Sequence, residues 1–223
     1  MVQKSSDLNR YRRLTSFAGN RVYFVLECMK TSYVFGICLP SKSPPLDWLQ
    51  LLLPKITPWS AASRTVRMDE GLETSRNPAL VSLFSKFGYI VDETGPDNSS
   101  AIGKVESFNR VIKAAIVRTL HSVSLSPKHW DLAFYHLLRI YNCTPRGACS
   151  LIPYTAVTGR KPDLKHLRIF GVPVSVRDYK PTPAASPKTV RGIFVGYNHS
   201  TKLPMFLPHG HRKKQDILLH FCI

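Results

Sequence analysis

The chain has 223 residues, with 31 lysines and arginines against 14 aspartates and glutamates, a formal charge of +17. It is long enough to bury a core and basic enough to predict a polyanionic partner. No apolar run approaches the roughly 20 residues of a membrane-spanning helix, no signal-peptide pattern opens the sequence, and the five cysteines form no C-x-x-C pair. These features exclude a helical membrane channel and a disulfide framework, and predict a soluble, intracellular protein with reduced, mostly buried thiols.

Residues 2–8 form a short stretch that reaches Asp7, where any strand is clipped. Residues 21–28 (RVYFVLEC) and 32–39 (SYVFGICL) are rich in β-branched and aromatic side chains and read as an antiparallel hairpin. A helix starts near Pro44 and Pro45 and is expected to end quickly at Pro54 and Pro58. Residues 65–68 form a strand leading directly into Asp69. Asn77 caps a helix with Pro78 in its first turn, Gly88 stops it, and residues 89–91 make another strand. Residues 92–102 (DETGPDNSSAI) read as a loop.

The next stretch, 103–120, is the most helix-like of the chain. Val105, Phe108, Ile112, Ala115, Ile116 and Leu120 recur at three-and-four spacing and predict a packed face. Glu106, Arg110 and Lys113 share a second stripe at i, i+4 and i+7. Ser126 and Pro127 open a further helix, with Trp130, Phe134, Leu137 and Tyr141 as its buried stripe and Pro145 as its end. Beyond residue 165 the pattern turns to short segments, 167–176 and 191–197, separated by the Pro-rich 181–188. Cys143 and Cys149 are near enough in sequence to bridge, but match no zinc spacing; His209 and His211 read as a loop or, with a third ligand, a metal chelate.

Two strand-end aspartates, Asp7 and Asp69, and the helical Glu106 are able to converge at one edge of a sheet. Three clustered carboxylates repel one another, an arrangement that divalent cations neutralise. Mg²⁺ prefers such oxygen donors, and a pair of ions clamps the attacking and leaving oxygens of a phosphoryl displacement. The 19 basic against 5 acidic side chains of residues 104–223 suit a grip on a phosphate backbone.

Arg67, Asp69, Gly71 and Glu73 stand as R-x-D-x-G-x-E, and Gly103, Glu106, Asn109 and Arg110 as G-x-x-E-x-x-N-R. With SDL at 6–8, GNRVYFVL at 19–26, Trp130, Ala133 and Asn142, GRKP at 159–162, HLRIFG at 166–171 and GIFVGY at 192–197, the chain resembles the copia-type retrotransposon integrases of the ribonuclease H-like DDE recombinases. The resemblance runs from about Asp7 to Phe221. It implies an α/β fold: a ribonuclease H-like mixed sheet flanked by helices over 1–125, a helical extension over 126–164, and a small β-rich basic module over 165–223.

The resemblance further implies Mg²⁺ or Mn²⁺ held by Asp7, Asp69 and Glu106, trimming of cDNA ends by water, and attack of the new 3′-hydroxyl on target DNA. Lys104, Arg110 and Lys113 would touch the DNA end, since backbone contacts come mainly from Arg and Lys. A homo-oligomer on DNA, a nuclear site of action after a cytoplasmic particle stage, and an origin as the core and C-terminal part of a longer polyprotein belong to the same expectation. The chain departs from the family pattern at Arg10-Tyr11 (usually Gly-Pro), Glu70 (Asn), Ile102 (Asn) and Ser107 (Arg). The alternative reading is a decayed or domesticated integrase that only binds nucleic acid. A ribonuclease acting on hybrids is a further one, against which the C-terminal blocks argue.

Overall fold

Alternation along one strand explains the layering of the whole chain. In β2 (Val22–Glu27) every residue after the first is buried. Tyr23 and Val25 point to one core and Phe24 and Leu26 to another, as the two-residue period of a strand requires. A sheet covered on both faces follows. The computed structural model describes residues 2–5, 14–59, 64–68, 77–93, 99–146, 151–177, 189–198, 203–209 and 218–219.

β2 pairs with β3 (Val34–Leu39) as the expected antiparallel hairpin, and with β1 (Val2–Ser5), also antiparallel, Ser5 opposite Tyr23. β1 then pairs in parallel with β4 (Thr65–Met68), Val2 opposite Met68, and β4 in parallel with β5 (Ile90–Glu93). The resulting order is β3-β2-β1-β4-β5, with β2 alone running against the others.

One face carries α1 (Leu46–Ile56) and α2 (Pro78–Lys86), whose Leu49, Leu53, Leu80 and Phe84 pack with Phe24, Leu26, Val66 and Met68. Asn77 caps α2 as expected, its Oδ1 accepting from Ala79 N at 3.1 Å and Leu80 N at 3.3 Å, and Gly88 leaves the helix at φ +75°. The other face carries α3 (Ser99–Ser122) and α4 (Trp130–Cys143). Ser126 Oγ accepts from Lys128 N at 3.3 Å in the turn that opens α4.

Gly36 makes the close approach of α4 to β3 possible. A Cβ there would meet Phe134 Cζ at 2.7 Å. Asn142 of α4 then acts as a short strand mimic on β3, accepting from Val34 N at 2.9 Å and donating to Val34 O at 2.8 Å. Tyr135 Oη accepts from Cys38 N at 2.9 Å, so two outward N–H groups of this edge strand are satisfied by side chains.

A second antiparallel sheet has the order β6-β7-β8-β9: β6 (Pro173–Arg177), β7 (Thr189–Tyr197), β8 (Pro204–Pro208) and β9 (Leu218–Leu219). Phe170, Val195, Met205 and Leu207 join the same buried cluster as Trp130 and Phe134, so this sheet packs on α4. Between the two lies the short α5 (Pro153–Thr158), closed by Gly159 at φ +69°.

Three sequence expectations differ from the structure. Helix α1 runs through Pro54 to Ile56, because Pro54 and Gln50 are both exposed and the carbonyl that proline leaves unpaired is on the solvent side. Residues 92–102 are not all loop: β5 reaches Glu93 and α3 begins at Ser99, where no Gly or Pro interrupts the four residues ahead of Gly103. The expected strand at 167–176 begins only at Pro173, since Gly171 turns at φ +84° against Val123, with Gly171 N donating to Phe194 O at 2.7 Å.

Candidate functional site

The predicted apolar face of α3 is the one that is buried: Val105, Phe108, Ile112, Ile116 and Leu120 lie in the core, with Ala115 half-buried. Phe108 meets Tyr141 of α4 edge-on at 4.8 Å. Asn109, in the same motif as Glu106, is also buried, and its Oδ1 accepts from Tyr23 Oη at 3.1 Å. Tyr23 lies opposite Ser5 of β1. Asn109 therefore ties the helical turn that follows Glu106 to the start of β2, beside the end of β1, an anchoring role that the sequence motif alone did not reveal.

Burying that face leaves the second stripe outward. Glu106 and Arg110 are exposed, and Lys113 is half-buried. Lys104 is exposed as well, and its Nζ donates to Met29 O at 2.9 Å, which clips the start of α3 to the turn after β2. Nearby, burial holds the Glu27 carboxyl above the usual carboxylate range, with Lys104 and Arg146 pulling it back down.

Asp7 and Asp69 lie outside the described residues. Ser5 and Met68, which precede them, end adjacent parallel strands. Among the described residues there is no group of three or more His, Cys, Asp or Glu able to hold a metal, and Glu106 is the one member of the predicted carboxylate set they include. A set of carboxylate oxygens is the donor chemistry that Mg²⁺ and Mn²⁺ take.

Compared with family models and with curated proteins, the chain matches none.

Of the remaining sequence candidates, Cys28, Cys38 and Cys143 are free thiols, with Cys38 buried and its thiol pushed well up by burial. Cys149 and Cys222 lie outside the described residues. So does His211, while His209 sits exposed in a turn. No helix among the described residues is long and apolar enough to cross a membrane.

Proposed function

We propose that this chain is the catalytic and C-terminal region of a copia-type retrotransposon integrase, with a ribonuclease H-like core acting on DNA. The observation that carries the reading is the strand order β3-β2-β1-β4-β5, in which only β2 is reversed. That order makes β1 and β4 parallel neighbours, so the chain leaves both toward the same end of the sheet on its way to Asp7 and Asp69, with Met68, the last residue of β4, opposite Val2, the first of β1. Helix α3, carrying Glu106, is bonded through Asn109 to the strand beside β1. A fold of this order supports the convergence of three carboxylates that the motifs predict.

In this reading Asp7, Asp69 and Glu106 hold Mg²⁺ or Mn²⁺, which supplies the charge to activate water or a 3′-hydroxyl and to stabilise the leaving oxygen. The side chains need no nucleophile of their own. Arg110 and Lys113, with the exposed basic residues of the C-terminal half, hold the phosphate backbone, and the protein works as a homo-oligomer on DNA in the nucleus.

The test is a strand-transfer and nicking assay on duplex DNA with Mg²⁺ or Mn²⁺, comparing the parent with Asp69→Asn and Glu106→Gln. The proposal requires metal-dependent product that both variants abolish. Product that survives Glu106→Gln removes the carboxylate assignment. Salt-sensitive DNA binding with no product from the parent establishes the alternative, a basic remnant that binds without catalysis.

A further inference from the structure

On the side of β3 away from β2, a cleft of about 530 Å³ is walled by residues of β3, α1, α4, α5 and β7, within the range of about 300–1,000 Å³ typical of small-ligand sites. Its walls are strongly aromatic: Tyr33, Phe35, Trp48, Tyr154 and Tyr197. They come from four different elements or their flanks, β3, α1, α5 and β7, so no sequence motif gathers them. Two strands of the sheet separate β3 from β4, which makes this cleft distinct from the carboxylate edge.

One cation faces these rings. The Arg139 guanidinium lies over the Tyr197 ring at 4.2 Å and makes no hydrogen bond or ion pair among the described residues. Its planar donors are therefore available to a ligand, and a bidentate phosphate contact is what such a group does best. At the rim, Pro162 and Asp163 line the cleft, flanked by exposed Arg160, Lys161 and Lys165. Asp163 Oδ1 already accepts from Lys165 N at 3.0 Å. The surroundings favour an anion that brings a flat ring.

A peptide strand is the less suitable occupant. Val34 N and O are taken by Asn142, and Cys38 N by Tyr135, so strand addition along β3 finds its pairing groups already used. Aromatic walls with one arginine and a basic rim are instead the parts that hold single-stranded nucleic acid, base on ring and phosphate on cation. We propose that this cleft binds an unpaired nucleotide of a single strand, its base against the aromatic walls and its phosphate on Arg139. The proposal rests on the nucleic-acid reading above and adds to it a second contact, specific for unpaired bases.

Trp48 in the wall provides the readout. The full chain is titrated with a 12-nucleotide oligothymidylate and, separately, with a 12-base-pair duplex, following tryptophan emission, with Trp48→Phe to identify the emitting ring. Binding is measured in parallel for Arg139→Gln and Tyr154→Leu. The oligothymidylate is expected to quench Trp48 and the duplex to leave it unchanged. Each variant should bind the oligothymidylate about ten-fold more weakly, the scale of one lost base stack for Tyr154→Leu and of one lost charge-assisted phosphate hydrogen bond for Arg139→Gln, with duplex affinity unaltered.

Oligothymidylate binding that leaves Trp48 emission unchanged, or that both variants retain in full, overturns the cleft. So does duplex binding with no oligothymidylate binding, which leaves the parent reading intact. A chain that binds neither nucleic acid defeats both. Should Tyr154→Leu fail to fold, Arg139→Gln carries the test, since it removes only the cation over Tyr197.

Discussion

His136 should make the attachment of the C-terminal sheet to α4 sensitive to acid. Its ring is buried between Phe170, at 5.4 Å, and Phe194, at 5.8 Å, and its Nδ1 has no hydrogen-bond partner among the described residues. Burial, with a smaller contribution from the like charge of Arg139, lowers its pKa from 6.5 to about 4. Above pH 6.5 the imidazole is neutral in both folded and unfolded chains and contributes no pH dependence. Between pH 6.5 and 4 the unfolded chain takes the proton and the folded one does not, so stability falls as pH falls.

Each tenfold difference in proton affinity is worth about 1.4 kcal/mol, which makes the loss about 2 kcal/mol by pH 5 and about 3 kcal/mol once the folded form also titrates. His129, also lowered mainly by burial, adds a loss of the same sign, while Glu27, raised by burial, works the other way. The comparison with His136→Leu isolates the single group. Urea denaturation of parent and variant at pH 7.5, 6.0 and 5.0 should show the variant losing about 2 kcal/mol less across that range. A variant that loses as much as the parent refutes the reasoning.

Gly36→Ala should destabilise by about 1–3 kcal/mol, the usual result of overpacking, because its Cβ meets the buried Phe134 ring at 2.7 Å and Leu138 Cδ2 at 3.1 Å; urea midpoints check it. Asn142→Leu strands the N–H and C=O of Val34 at about 1–3 kcal/mol for each group, and amide exchange at Val34 should accelerate with the loss. Glu106→Gln, on the exposed face of α3, should change stability by no more than about 0.5 kcal/mol without metal. Under the integrase reading it should also abolish any rise in thermal midpoint that Mg²⁺ or Mn²⁺ gives the parent, because an ion that binds only the folded state stabilises it; a rise that persists in the variant rejects Glu106 as a ligand.

Much of the local structure was legible from residue pattern. The hairpin partners β2 and β3, the caps at Asn77 and Ser126, and the buried face of α3 each follow from chemistry within a few residues: β-branched runs, a side-chain oxygen ahead of a proline, an apolar stripe at helical spacing. Nearest-neighbour patterning also marked Glu106, Arg110 and Lys113 as one outward stripe. It did not reveal β8, because a five-residue apolar run between prolines has no period of its own and becomes a strand only through pairing with β7. Nor did it show that Asn109 and Asn142 are anchors, since an asparagine's role depends on which backbone or hydroxyl stands opposite it.

What the sequence by itself determined, then, is the identity and order of most elements and the carboxylate and basic residues that suggest phosphodiester chemistry. Only the tertiary structure decided the strand order, the seating of the C-terminal sheet on α4, and the aromatic cleft around Arg139. Those are contacts between residues dozens of positions apart, set by which faces must be buried together, and no local spacing encodes them.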